Sequence, residues 1–312
     1  MTYAEIGTYL NGTFSSSLLP IIFHYTILLM PIAMAIALAT LFWKMWVRYI
    51  QIKNFSGTKY TVLELKLPKD TFKSPLAMET VLAAIHNTSD GSEYAQYWKG
   101  ETRPWYSLEI ISIEGTIKFL IWTEDRRKNN LMSALYSQYP GIEISEHEDY
   151  SKSVQYDVKE WKIWASEFAF TKGDPYPIKT YVDYGLDKDP KEEFKIDPMT
   201  HLIEWLGSLR PNEQAWFQFV IRAHKKDQKK PGTLWTRADL YKDAVAAEVH
   251  KLLMRDPKTK ISGDVDEESG RASRPLLTRG ETDIVDAIER KAQKLPFDVC
   301  ARALYIAKRS AF

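Results

Sequence analysis

The first 43 residues contain no lysine or arginine and a single acid, Glu5. All 42 basic residues therefore fall in the remainder of the 312-residue chain, against 40 of its 41 acids. An uncharged head on a charged body restricts the architecture before any motif is considered. From Leu18 to Trp43 the chain reads LLPIIFHYTILLMPIAMAIALATLFW, with no formal charge and His24 as its one strongly polar side chain. Crossing a hydrocarbon core of about 30 Å takes about 20 such residues in a helix. A core helix of this length would show a polar stripe, and none is present. A cleaved signal peptide would open on a basic stretch, which Met1–Ser17 lacks. Residues 18–43 therefore read as a transmembrane helix. Trp43, Trp46 and Tyr49 gather at its end as interfacial aromatics do, and Pro31 within it is tolerated in membranes.

Lys44, Arg48, Lys53 and Lys59 follow the span. The positive-inside rule then expects residues 1–17 to be a short extracytoplasmic tail and residues 44–312 to face the cytoplasm, in a single-pass protein of the cell inner membrane. Residues 44–59 read as a basic juxtamembrane linker able to lie on anionic headgroups. The net charge of +1 argues against a general nucleic-acid coat, though not against a local contact. One cysteine, Cys300, excludes an intrachain disulfide, suits a reducing compartment and is expected to fill core space.

Periodicity organises the body. Tyr60–Leu67 alternates as a half-buried strand, and Ser74-Pro75 opens a helix with a Met78, Val81, Leu82, Ile85 stripe. Strands follow over Trp105–Ile113 and Thr116–Trp122, joined at Glu114-Gly115. Thr123 is expected to cap a helix carrying Leu131 and Leu135, which Pro140-Gly141 stops before a strand at Ile142–Ser145. The order β-α-β-β-α-β is that of a ferredoxin-like, split βαβ domain, expected over residues 60–150 with both helices on one sheet face. Residues 151–312 repeat the pattern loosely, as a second α+β domain: strand 161–170, a helix from Asp197-Pro198, strand 213–224, an insertion over 225–280 with an amphipathic helix, a helix at 282–294 and a last strand at 297–308. The expected fold class is thus α+β, with a transmembrane helix and two ferredoxin-like domains, the second with a helical insertion and its third strand missing or displaced.

No Walker A loop, G-x-G-x-x-G, H-E-x-x-H or G-x-S-x-G occurs. The six histidines are scattered, and none pairs with another at metal-ligand spacing on one element. The acidic stretch Asp183–Asp197 lacks the glycine of an EF-hand and contains Pro190, so it reads as a solvated loop, as does Asp264–Glu268. No catalytic, metal or cofactor site is expected. The densest positive group is Arg222, Lys225, Lys226, Lys229 and Lys230, which could touch nucleic-acid phosphates or headgroups. No aromatics interleave with it, so base stacking is not indicated. Arg271, Arg274 and Arg279 could extend the patch. An acid/base site among Asp197, His201 and Glu204 is the enzymatic alternative, although each is better explained as a cap or a helix-face residue.

Three stretches, GTIKFLIWTEDRRKNNLMSALYSQYPGIEISEHEDY (Gly115–Tyr150), DPMTHLIEWLGSLRPNEQAWFQFVIRAH (Asp197–His224) and FDVCARALYIAKRSAF (Phe297–Phe312), carry a resemblance. With the single span before them, they resemble an uncharacterised family of membrane-anchored bacterial proteins associated with type IV secretion and conjugation ATPases. The likeness covers about Met45 to the end. It implies a component working beside a secretion-type ATPase or other membrane-complex subunits, as an oligomer, and makes Pro140-Gly141 and Pro211-Asn212 turn residues. It transfers no functional residue. The expected function is a non-enzymatic scaffold or adaptor, with a membrane-tethered nucleic-acid-binding module as the alternative.

Overall fold

The computed structural model describes residues 3–68, 74–154, 157–186, 198–230, 236–253 and 279–309, with side chains from residue 23 onward. The calls on Asp187–Asp197, on Asp264–Glu268 and on Arg271 and Arg274 lie outside the described residues. The chain divides into two units, residues 1–58 with 91–102, and residues 59–90 with 103–312.

The first unit is built on one helix, α1, Tyr3–Gly57. Phe23–Gly57 is long and apolar enough to cross a membrane, and its apolar window carries no buried residue. The helix does not stop at the first basic residues: it continues through the stretch expected as a linker, because nothing from Lys44 to Ser56 breaks it. A short π-helical turn, Ala95–Lys99, packs on that continuation. It shields Trp46, Val47, Ile50, Gln51 and Asn54, one face at 3–4 spacing. Asn54 donates to the Gly100 carbonyl at 3.2 Å. Gly100 has φ +72°, and a Cβ there would lie 2.4 Å from the Ile50 carbonyl oxygen. Only glycine permits that approach.

The second unit is a single antiparallel sheet of seven strands. In chain order its elements are β1 (Tyr60–Lys66), α2 (Leu76–Ile85), β2 (Trp105–Ile113), β3 (Thr116–Glu124), α3 (Lys128–Gln138), β4 (Glu143–His147), β5 (Trp161–Phe168), α4 (Thr200–Gly207), β6 (Glu213–Ala223), a two-stranded ribbon β7 (Gln228–Lys229) and β8 (Arg237–Ala238), α5 (Leu240–Leu253), α6 (Arg279–Gln293) and β9 (Phe297–Lys308). The strand order is β4-β1-β3-β2-β6-β9-β5. Both halves thus contribute to one sheet, because β2 pairs with β6 from Trp105–Arg222 to Ile113–Gln214.

The expected β2–β3 hairpin is present, with Glu114 at φ 53° and Gly115 at φ +83°, the two positive φ values of a type I′ turn. A Cβ on Gly115 would meet the carbonyl oxygens of Gly207 and Leu209 at 3.0 Å. Thr123 does not cap α3. It is a fully buried β3 residue, and a 3-10 turn, Asp125–Arg127, intervenes before the helix. Pairing with β1 carries β3 two residues beyond its expected end, to Glu124.

Register assigns the two sheet faces. Leu63 of β1, Ile121 of β3, Leu108 of β2 and Phe219 of β6 lie in one row. This face carries α2 and α3 through Val81, Ile85, Leu131 and Leu135, and α4 through Leu206. Ser112 donates to the Leu206 carbonyl at 2.6 Å, which satisfies a hydroxyl buried under α4. The opposite face, with Val62, Leu120, Ile111, Trp216 and Ile306, has no α-helix packed in its cluster among the described residues; Tyr150, which opens a 3-10 turn, and Val154 cover it instead. The reason is topological. β4 and β5 lie at opposite edges of the sheet, and the described residues that follow β4, among them Tyr150 and Val154, lie across this face.

Candidate functional site

The crossing segment is anchored by a polar group in the middle of the sheet. Ser107 and Glu109 interrupt the apolar alternation of β2, and Gln218 of β6 and Arg302 of β9 stand in register with Glu109. Arg302 Nε donates to Gln218 Oε1 at 2.6 Å, and Gln218 Nε2 donates to the Tyr150 hydroxyl at 2.5 Å. Tyr150 donates to Glu109 Oε2 at 2.5 Å, and Ser107 donates to Glu109 Oε1 at 2.7 Å. Burial raises the Glu109 pKa, against the bonds from Tyr150 and Ser107 and the charge of Arg302. Burial, then the neighbouring Glu109 carboxyl, pushes the Tyr150 phenol up. A cavity of about 300 Å³ opens beside this chain of bonds, walled by Trp105, Trp122, Trp216 and Leu304. Glu109 is buried with both oxygens bonded, so it holds Tyr150 in place. The sequence signal for this group is a polar pair inside a central strand, Ser107 and Glu109, which periodicity alone does not connect to Tyr150.

The predicted basic residues occupy the end of β6 and the turn after it. Arg222 Nη2 lies 3.2 Å from Asp298 Oδ2, Lys225 is paired with Asp90, and Lys230 Nζ lies 3.5 Å from Asp243. Arg103 adds bonds to Asp90 at 3.0 Å and to the Ala223 carbonyl at 2.6 Å. His224 Nδ1 sits 2.7 Å from Asp298. Burial acts to raise the Asp298 pKa, but His224 and Arg222 outweigh it and hold the carboxyl below the usual range. The stretch is therefore a mixed-charge network, from which Lys226 and Lys229 project exposed.

Of the alternative acid/base group, Asp197 lies outside the described residues. His201 and Glu204 are 97% and 70% exposed on α4, 3.8 Å apart. Cys300 is exposed rather than buried: it faces the helix-free side of β9, opposite Val220. Among the described residues no group of three His, Cys, Asp or Glu side chains could hold a metal. A larger groove of about 600 Å³ runs between α2, α6 and residues 177–183, with Lys291 at its wall bonded to the carbonyls of Asp174 and Tyr176.

Residues 50–311 match a family described as a domain of unknown function, DUF8128. No curated protein and no solved structure matches the chain.

Proposed function

The chain belongs to the DUF8128 family, and we propose that it is a single-span, membrane-anchored adaptor without enzymatic activity. The observation that carries this reading is the edge strand β5. It pairs with β9 on one side only among the described residues, and it exposes Ile163, Trp164 and Phe168. On the helix-bearing face, Phe168 stands in register with Ala301 and Phe219, beside exposed Val299. A long apolar edge is a template for strand addition by another chain. We place residues 1–17 outside the inner membrane and the body in the cytoplasm, on the basic residues that follow the span. The partner proposed is a secretion-type ATPase or another subunit of a type IV secretion or conjugation-like machine, with the adaptor itself working as an oligomer.

The split βαβ reading supports a body made for surface presentation. β1 and β2 are each antiparallel to β3, hence parallel to one another, with α2 as their crossover and β3 between them. β3 and β4 flank β1 in the same way. We read residues 60–150 as ferredoxin-like on that basis. In the second half β9 takes the place between β5 and β6, so the strand expected as displaced is supplied by the last one. The nucleic-acid alternative rests on Lys226 and Lys229, since Arg222, Lys225 and Lys230 each face a carboxylate.

Affinity capture of the full chain from membranes of its own host tests the reading. A secretion-type ATPase recovered with the native chain, and lost with Trp164→Asp and Phe168→Asp, is the expected result. Recovery of no ATPase or secretion subunit with the native chain would overturn it.

A further inference from the structure

We infer that residues 91–102 form a second membrane contact, an aromatic collar set in the headgroup interface beside the end of the span. The inference rests on the reading of α1 as a transmembrane helix. About 20 helical residues, at 1.5 Å each, fill a hydrocarbon core of about 30 Å. Counted back from Lys44, the first charge after the span, that length reaches to about Phe23 and places Trp43 and Trp46 at the boundary. The collar packs at that level. Trp43 lies 5.8 Å from Tyr97 and 6.4 Å from Trp98, and Trp46 lies 6.1 Å from Trp98, ring centre to ring centre.

The packing leaves the apolar side chains outward. Tyr94 is 65% exposed and Trp98 55% exposed, while Ala95 and Gly100 are buried against α1. A polar loop in water would invert that arrangement. Lys99 sits 5.8 Å over the Tyr94 ring, so a cation accompanies the aromatics, as it does where rings lie among headgroups and lysines reach phosphates. Lys44 and Arg48 stand on the same stretch of α1; Glu93 and Glu101 lie at the two ends of the segment. The occupant of the exposed aromatic surface is therefore the lipid interface. It is continuous with the uncovered surface of Phe23–Met45.

Depth-dependent quenching separates the outcomes. The full chain with Cys300→Ser carries one new cysteine, Tyr94→Cys or Ile32→Cys, labelled with an environment-sensitive fluorophore and reconstituted in phosphatidylcholine vesicles. Lipids bearing a nitroxide at a shallow or a deep acyl carbon serve as quenchers. The expected result is a loss of fluorescence at 94 that is larger with the shallow nitroxide, and at 32 larger with the deep one. Lys99→Cys repeats the measurement should Tyr94→Cys disturb the turn. Quenching at 32 with none at 94 or 99 overturns the collar and leaves the span standing, including the case in which a second protein covers the aromatics. No quenching at 32 overturns the membrane reading itself.

Discussion

Tyr150 donates to Glu109 across 41 residues of sequence, from a segment that crosses the sheet to a carboxyl buried in its centre. The bond fixes the only described covering of the helix-free face at one point. Phenylalanine at 150 would keep the edge-to-face contact with Trp216, whose ring lies 4.9 Å away. It would leave one Glu109 oxygen and the Gln218 amide without their partner. Stranding buried polar groups in this way costs about 1–3 kcal/mol. Tyr150→Phe is expected to lower the unfolding midpoint of the detergent-solubilised chain by several degrees, at about 2–4 °C per kcal/mol for a body of this size. Tryptophan fluorescence on heating checks it, and an unchanged midpoint would show that water replaces the hydroxyl without loss.

Glu109 also gives the fold a pH dependence of defined sign. Burial raises its pKa above the ordinary glutamate value of 4.5, so the native state holds the proton more readily than the unfolded chain. Its contribution is complete below 4.5 and is lost as pH rises through the native value. Asp298 has the opposite sign: its native pKa lies below 3.8, and its contribution is lost as pH falls through that lower value. Denaturant midpoints measured along a pH series should decline more steeply above 4.5 for the native chain than for Glu109→Gln. Parallel profiles for the two would show that the carboxyl titrates alike in both states.

Much of the sheet was readable because its signals are local. The Glu114-Gly115 turn, the period of β1 and the stripes of α2 and α3 all lie within a few residues of one another, and each forms near its expected place. What was not readable depends on pairing between distant strands. Nothing local to Trp105–Ile113 says that β6 lies on its other side, so two sheets were expected where one forms. The same non-locality hid the site. Glu109, Tyr150, Gln218 and Arg302 lie on four separate segments and meet only once β2, β6 and β9 are in register. The 91–102 segment escaped for a further reason. Its glycines and polar residues look like a loop, and its role appears only against the Ile50 backbone.

That backbone contact sets the next expectation. Gly100→Ala combines a left-handed φ with a Cβ placed 2.4 Å from a main-chain oxygen, which no side-chain rotation relieves. Strain of this kind costs about 1–3 kcal/mol. The 91–102 segment should therefore detach from α1 in the variant. Protease cleavage within the segment, slow in the native chain, is expected to become several-fold faster. Cleavage at the native rate would mean that the helix shifts to absorb the methyl group.

The basic stretch yields a quantitative limit on nucleic-acid binding. Arg222, Lys225 and Lys230 are engaged with Asp298, Asp90 and Asp243, and Lys226 and Lys229 are the two exposed cations of the five that face no carboxylate among the described residues. Each phosphate neutralised on a single strand contributes about −0.7 to the slope of log affinity against log salt, so two contacts give about −1.4. Binding of single-stranded DNA by the full chain in nanodiscs should therefore be weak, with a slope no steeper than about −1.5 that Lys226→Ala with Lys229→Ala abolishes. A slope near −3.5 would mean that all five cations reach phosphates. Arg222, Lys225 and Lys230 would then have to give up their carboxylates on binding.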